Sequence, residues 1–255
     1  MWVDLHIHTK GSDGWGTPEQ IVQTAIDRGL DGFAITDHHR TQTKEGDEVA
    51  QLARKRGLVV FRGAEYSSAD GHILIYGVAL EFLDLGFYMP MQKVIDRVRT
   101  HGGVAIPAHP YHLTPRMEHP LRDRVILLQK IPAIEVRNGQ REIFNQRENE
   151  RAIEAARKRC SGRRGIGGSD AHDPRYVGCC FTQFSQWIET DADLVQALLR
   201  GHYHARRNLR ALEDLSLGPK LDILPTSAAY SAYATICADP PDPGKEINTD
   251  ILWRH

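Results

Sequence analysis

The chain has 255 residues, 41% of them hydrophobic and 25% charged, with a formal net charge of −1. That length supports one sizeable core and suits a single α/β barrel, while the near-neutral charge excludes a global attraction for long nucleic acid or an anionic membrane. Four cysteines without CxxC spacing exclude a disulfide scaffold and fit a reducing cytoplasm. The opening MWVDLHIH lacks the basic and apolar regions of a signal peptide, and no apolar run approaches the ~18 residues that cross a bilayer.

In chain order, WVDLHIH (2–8) reads as a first strand whose period of two puts Asp4, His6 and His8 on one face and Leu5 and Ile7 on the other. Thr17, Pro18 and Gln20 form a capping-box start for a helix carrying Ile21, Val22, Ala25 and Ile26, and Gly29 stops it. GFAITDH (32–38) is strand two, followed by a charged amphipathic helix over 45–56 closed by Gly57. LVVFRGAEYSS (58–68) and HILIYGV (72–78) are two successive strands joined by ADG. A helix over about 90–100, a strand VAIPAHP (104–110), a helix near 120–130 and a strand AIEVRNG (133–139) follow.

REIFNQRENERAIEAARKR predicts one long polar-faced helix, RRGIGGSDAH (163–172) a Gly-rich strand with its exit loop, and residues 191–200 a last short helix. About seven strand–helix units in alternation argue a parallel α/β architecture over residues 1–207. The arginine clusters at 54–56, 157–164 and 204–210 read as solvated helix ends, and residues 208–255, with their PPDPG run, as an irregular tail of unknown role.

Six histidines fall at strand exits beside acids or one another: His6, His8, His38 in TDH, His72 in GHIL, His109 in AHP and His172 in SDAH. Asp13, Asp37, Glu65, Glu135 and Asp170 occupy matching places. In parallel α/β folds, sites form at that edge, and imidazole with carboxylate but no thiolate suits divalent Mn, Zn or Fe. His101, His202 and His204 read as structural or surface residues, and His39, His112 and His119 as loop residues near the mouth.

DLHIHTKGSDG, ITDH, GAEYS with GHILIYG, AHP, EVRNG and GGSDAH, in that order, resemble the motifs of the PHP (polymerase and histidinol phosphatase) domain family over about residues 1–207. The resemblance implies a distorted (β/α)7 barrel and a cluster of two or three divalent metal ions. Carried over by position, one metal falls to His6, His8, Glu65 and Asp170. A second shares Glu65 and adds His72 and His109, and a third takes Asp13, His38 and His172. Asp4 and Asp37, beside ligand histidines, are expected to orient them from behind.

Such a site implies metal-assisted hydrolysis. Bringing the pKa of a water from 15.7 to about 7 corresponds to roughly 12 kcal/mol. Phosphomonoester cleavage calls for up to ~10²¹-fold acceleration, whereas one general acid or base supplies ~10²–10⁴. No GxSxG, P-loop or GxGxxG motif offers a competing chemistry.

The expectation is a phosphomonoesterase for a small metabolite or nucleotide, with catalytic roles on Asp13, His38, His172 and Arg137. Arg137, two residues after Glu135, is expected on the same face, gripping a phosphate oxygen. Tyr111, His112 and Arg116 of the loop PYHLTPRMEHP are expected to contact substrate, with Lys10, Arg40 and Arg141 as further loop cations. About 25 residues between HILIYG and AHP leave room for a connecting helix and no cap domain, which implies an open mouth. The alternatives are a phosphodiesterase or exonuclease on oligonucleotide ends, a metal-binding module without turnover, and an amidohydrolase barrel. The last lacks its bridging lysine, since no lysine lies in the strands between TDH and SDAH.

Overall fold

The computed structural model describes residues 1–86, 88–112, 121–158 and 165–217. In chain order they form β1 (Trp2–Ile7), α1 (Pro18–Asp27), β2 (Gly32–Ile35), α2 (Lys44–Lys55), β3 (Val59–Ser68), β4 (Gly71–Tyr76), α3 (Met91–Thr100) and β5 (Val104–Pro107). Then come β6 (Ile134–Asn138), α4 (Gly139–Phe144), α5 (Gln146–Lys158), β7 (Gly165–Gly168), β8 (Cys180–Phe184), α6 (Asp191–Arg200), β9 (Tyr203–Arg207) and α7 (Leu209–Leu217).

Local chemistry accounts for the helix ends. At α1 the Thr17 hydroxyl accepts from the Gln20 backbone N–H at 3.3 Å, and the Gln20 side chain accepts from the Thr17 N–H at 3.0 Å. A reciprocal cap of this kind contributes about 1 kcal/mol and fixes where the helix begins. Thr190 and Asp193 cap α6 in the same manner, and at α2 the Thr43 hydroxyl accepts from the Gly46 N–H without a reciprocal bond. Glu45 and Asp47 in the first turn of α2, and Arg54 and Lys55 in its last, complement the helix dipole.

Seven strands form one curled sheet in the order β5-β4-β3-β2-β1-β8-β9, and β6 and β7 form a separate pair. The expected alternation holds as a parallel core, β1–β2–β3 and β6–β7. It does not hold throughout: β3–β4, β4–β5, β1–β8 and β8–β9 are antiparallel. The physical reason lies in the connections. The two-residue Ala69–Asp70 link can make only a hairpin, whereas a parallel crossover needs a dozen residues or more.

Other expectations change similarly. The helix near 120–130 is a 3₁₀ turn at Arg122–Leu127. The long polar helix breaks at Asn145, whose φ of −159° leaves the helical region, into α4 and α5. The arginines in HARR lie on the edge strand β9, whose alternating burial is a strand's, not on a helix end. Residues beyond 208 are not irregular at once. Asn208 caps α7 through a bond from the Ala211 N–H at 3.1 Å, and Arg28 pairs with Asp214 at 2.9 Å. The tail beyond Leu217, with Cys160 and Cys237, lies outside the described residues. No helix among the described residues is long and apolar enough to cross a membrane.

Alternate residues of β4 feed two cores. Ile73 and Ile75 join Met91, Val94, Ile95 and Val98 of α3, and Leu74 and Tyr76 join Val3, Leu5, Phe61, Ile106 and Ile166. Glu65 faces Leu74 across the β3–β4 ladder, so its carboxylate shares the face of the second core. Strand β7 reads GIGG because neighbouring chain comes too close for side chains. A Cβ on Gly167 would lie 2.5 Å from the Phe181 carbonyl oxygen, and one on Gly168 2.5 Å from the His6 Cβ. Thr182 fastens β7 to β8 twice, accepting from the Gly167 N–H and donating to its carbonyl, both at 2.9 Å. Gly167→Ala is accordingly expected to destabilise the protein by about 1–3 kcal/mol, read from the urea midpoint. An unchanged midpoint would mean that the two strands part freely.

Candidate metal centre

The C-terminal ends of β1, β2, β3, β5 and β7 and the start of β4 converge on one point, and nine side chains meet there. Their donor atoms form three groupings, each lying within 4.8 Å: His6, His8, Glu65 and Asp170; Glu65, His72 and His109; and His8, Asp13, His38 and His172. These are the nine residues picked out by the sequence, with His8 also bordering the third grouping.

Glu65, only 1% exposed, lies at the centre. Its Oε2 lies 3.2 Å from His6 Nε2, 3.2 Å from His8 Nε2 and 3.4 Å from His38 Nδ1. Its Oε1 lies 2.9 Å from His72 Nδ1 and 3.1 Å from His109 Nε2. Asp170 approaches His6 and His8 at 3.5 and 3.3 Å. Asp13, 41% exposed, reaches His172 at 3.2 Å and His38 at 3.4 Å.

Two bulges aim these groups. In β1 the register shifts between Asp4 and Ile7, and Asp4 Oδ1 accepts from the His6 N–H at 3.2 Å. The strict alternation expected there is broken. The Asp4 carboxylate therefore clamps backbone, accepting also from Ser169 N–H and Gly178 N–H, both at 2.8 Å, rather than orienting an imidazole. Burial pushes its carboxyl up to about 6.

In β6 the register shifts between Glu135 and Arg137, so Asn138 takes the face expected of Arg137. Asn138 Nδ2 donates to Glu135 Oε2 at 3.0 Å and Asp170 Oδ2 at 3.1 Å. Arg137 instead pairs with Glu142 at 2.6 Å, away from Glu135.

The groups behind the donors are equally specific. Glu135 Oε1 receives His6 Nδ1 at 3.0 Å, and its Oε2 receives the His109 N–H at 2.8 Å. A proton on Nδ1 leaves the His6 Nε2 lone pair facing inward, 3.1 Å from His8 Nε2. Two lone pairs at that distance repel unless a proton or a cation lies between them. The donor set of borderline nitrogens and hard carboxylate oxygens, with no ammonium or guanidinium among them, fits a divalent ion. Sequence reasoning missed Asn138 and Gln140, whose amide donates to the Asp170 carbonyl at 2.7 Å and contacts His172 Nδ1 at 2.8 Å. The NGQ that follows the EVR strand was the available signal.

Asp37 was expected behind His38 but binds hydroxyls and backbone of residues 9–12 and Thr43. Tyr111 is buried, donates to Asp123 at 2.8 Å and has Arg151 4.5 Å over its ring, so its polar tip and one face are already engaged. His112 does border the site: its ring centre is 5.5 Å from that of His109, and Arg141 Nη1 meets its Nδ1 at 2.6 Å. His39 contacts Ser67 at 3.2 Å beside the site, while Lys10 and Arg40 are exposed. Arg116 and His119 lie outside the described residues. His39, His109 and Asp170 have φ of 55°, 21° and 54°, a conformation that costs side-chain-bearing residues of order 1–3 kcal/mol each and clusters at functional sites.

A family model described as PHP domain matches residues 4–165, and a second, described as PHP-associated, matches 146–203. The chain belongs to the PHP domain family. As a PHP protein it is a metal-dependent phosphoesterase, of a class that uses divalent metals.

An uncharacterized protein of Methanocaldococcus jannaschii is 32% identical over 122 residues, 44% of this chain and 68% of that protein. A 3',5'-nucleoside bisphosphate phosphatase of Chromobacterium violaceum is 35% identical over 31% of this chain and 27% of its own length. A phosphoribosyl 1,2-cyclic phosphate 1,2-diphosphodiesterase of Eggerthella lenta is 36% identical over 31% of each chain. The matched stretch thus spans less than a third of either enzyme. The structure of PsfC from Pseudomonas syringae superposes with a TM-score of 0.60 at 18% identity, over 85% of this chain and 95% of that one, which places the fold.

Electrostatics in this PHP site follow from burial and mutual charge. Burial alone would raise Glu65 and Asp170, but the surrounding imidazoles hold both well below the carboxylate range. Burial alone would lower His8, yet hydrogen bonds to Asp170 and Glu65 and the charge of Asp13 outweigh it and push it up to about 10. The metal-free site therefore holds protons at neutral pH that a metal must displace. Loading with Mn²⁺ or Zn²⁺ is expected to release protons and to weaken as pH falls, measured by titration calorimetry in buffers of different ionisation enthalpy. With His8 raised from 6.5 to about 10, its contribution to metal-free stability is full below about 6.5 and is lost as pH rises through about 10. The Tm of the metal-free protein should fall across that window, and a flat profile would contradict the assignment.

Proposed function

We propose that the chain is a phosphomonoesterase for a small phosphorylated metabolite or nucleotide, working with two or three divalent ions of the Mn, Zn or Fe type. The observation that carries this reading is the sharing of Glu65 between two donor groupings and of His8 between two. Shared ligands bring neighbouring cations close together, and ions about 3.5–4 Å apart can hold the attacking and leaving oxygens of an in-line displacement. When bound, such ions polarise the phosphoryl group and lower the pKa of water.

The chain's own residues then do the positioning. His6, His8, Glu65 and Asp170 would hold the first ion, His72 and His109 with Glu65 the second, and Asp13, His38 and His172 the third. Glu135 fixes the His6 tautomer, and Asn138 ties Glu135 to Asp170, so the inner ligands keep their angles as charge shifts.

The cation for substrate is Arg141 rather than Arg137. Arg137 is committed to Glu142, which also pairs with Arg207 at 3.3 Å. Arg141 stands on the His109 side, hydrogen-bonded to His112, with Glu148 at 3.7 Å as its partial counter-charge. Among the described residues its buried Nε has no hydrogen-bond partner. A guanidinium beside a metal centre with donor capacity to spare suits a phosphate or second anionic group of the substrate.

A diesterase on the same ions is the second reading, supported by the cyclic phosphate diesterase named among the relatives. Metal-reconstituted protein assayed on p-nitrophenyl phosphate, its bis ester, AMP, nucleoside 3',5'-bisphosphates and short oligonucleotides separates the two. Turnover confined to monoesters is expected, and preference for the bis ester or the oligonucleotides would overturn it. Arg141→Ala should raise KM about 10- to 100-fold, the loss of one charge-assisted hydrogen bond of roughly 1.5–3 kcal/mol, while Arg137→Ala changes KM little.

A further inference from the structure

The nine donors are not held alike. His6, Glu65 and His72 project from strands or the residues that end them, and His8, His38, His109, Asp170 and His172 follow a strand within a few residues. Asp13 lies six residues beyond the end of β1, in a turn, and is the most exposed of the set. Something other than a sheet ladder must hold it against His38 and His172.

That support is Asp37, 1% exposed and in contact with none of the imidazoles by hydrogen bond. Its Oδ1 accepts from the Thr9 backbone N–H at 2.7 Å and the Ser12 hydroxyl at 2.9 Å. Its Oδ2 accepts from the Thr9 hydroxyl at 2.7 Å and the Thr43 hydroxyl at 2.9 Å. The Thr9 hydroxyl in turn accepts from the Gly11 N–H at 3.0 Å, and the Thr9 carbonyl from the N–H groups of Ser12 at 3.1 Å and Gly14 at 2.9 Å. Ser12 Oγ also lies 3.2 Å from Asp13 Oδ1 and 3.5 Å from His8 Nδ1. The near side of the turn that carries Asp13 is therefore held by one buried carboxylate, and its far side by the Trp15 N–H on the His172 carbonyl at 3.0 Å; Thr43 joins the carboxylate to the first turn of α2 through the Gly46 N–H at 3.0 Å.

We infer that Asp37 is a positioning residue that builds the third metal site selectively, by holding the Asp13 turn in place, and has little part in the other two. This rests on the reading of the three groupings as metal sites. The geometry argues for selectivity. The four side-chain bonds of Asp37 run to the 9–12 segment and to Thr43, whereas Glu65 is held in β3 and Asp170 by its own N–H on the His6 carbonyl and by the Asn138 amide on its Oδ2. The Asp37 backbone carbonyl also accepts from the Glu65 N–H at 3.2 Å, a bond that a side-chain substitution leaves in place. The packing is tight as well: a Cβ on Gly11 would lie 2.2 Å from Thr43 Oγ1 and 2.7 Å from Asp37 Oδ2. Gly11→Ala thus disturbs the same support sterically while leaving every polar group in place.

The test is metal content by elemental analysis after reconstitution with Mn²⁺ and gel filtration, with circular dichroism as the check on folding. The wild-type chain is expected to hold three ions and Asp37→Ala two, with native dichroism. If Asp37→Ala does not fold, Gly11→Ala carries the same expectation. Three ions retained in the variant would overturn the inference, and so would loss of all three from a folded variant, which would make the network a general scaffold. Fewer than three ions on the wild-type chain would overturn the three-site reading itself, and the inference would go with it. That outcome is told apart from the others by the wild-type measurement alone.

Discussion

One carboxylate organises this protein. Glu65 is buried with five imidazole nitrogens within 3.4 Å, drawn from the ends of four different strand regions. A lone buried charge of that kind would cost several kcal/mol. It is tolerable because cationic partners, protons on the metal-free imidazoles or divalent ions among them, neutralise it. Every element that brings a histidine to Glu65 is thus part of a single electrostatic balance, and the arrangement of the sheet follows from it. The β3–β4 hairpin places His72 close to Glu65, and the antiparallel β4–β5 ladder brings β5, and His109 beyond it, alongside.

The site is sharpened by departures from regular strands. β1 shifts register between Asp4 and Ile7, where the Asp4 carboxylate accepts from the His6 N–H, and a bulge in β6 turns Asn138 rather than Arg137 toward the donors. Each re-aims side chains at the rim of a sheet without altering its packed lower part. The glycines of β7 serve the same end differently, since Gly168 lets that strand approach His6 closely enough for Asp170 to bond the His6 carbonyl through its N–H at 2.8 Å. Rigid backbone below and bent backbone above is the division that lets a packed α/β core present a precise polar cluster.

Support for the donors comes in two forms. Glu135 and Asn138 act on imidazole and carboxylate directly, setting a tautomer and an angle. Asp4 and Asp37 act on backbone and hydroxyl groups, setting where chain segments run. The charge near the rim is divided likewise. Arg137 is neutralised within the β6–α4–β9 corner by Glu142, while Arg141, four residues on, is carried by α4 to His112.

Strand-exit patterning and ligand chemistry pointed to six histidines and five acids, Asp37 and Glu135 among them, and the resemblance to the PHP motifs narrowed these to the nine that converge. The order of most elements, the caps at Thr17 and the stop at Gly29 were legible in the sequence, being encoded within a few residues. What the sequence could not reveal is where a strand loses its register, since one inserted residue leaves no signature in hydrophobic alternation. Asp4 and Arg137 were therefore misplaced, and Asn138 went unseen. The antiparallel edges β8 and β9 were likewise hidden, because pairing direction depends on contacts far along the chain. Sequence by itself placed imidazoles and carboxylates at the strand exits; only the tertiary structure decided which of them meet and which groups stand behind them, because those bonds join residues as distant as Asp4 and Gly178 or His6 and Glu135, and form only once the sheet has curled.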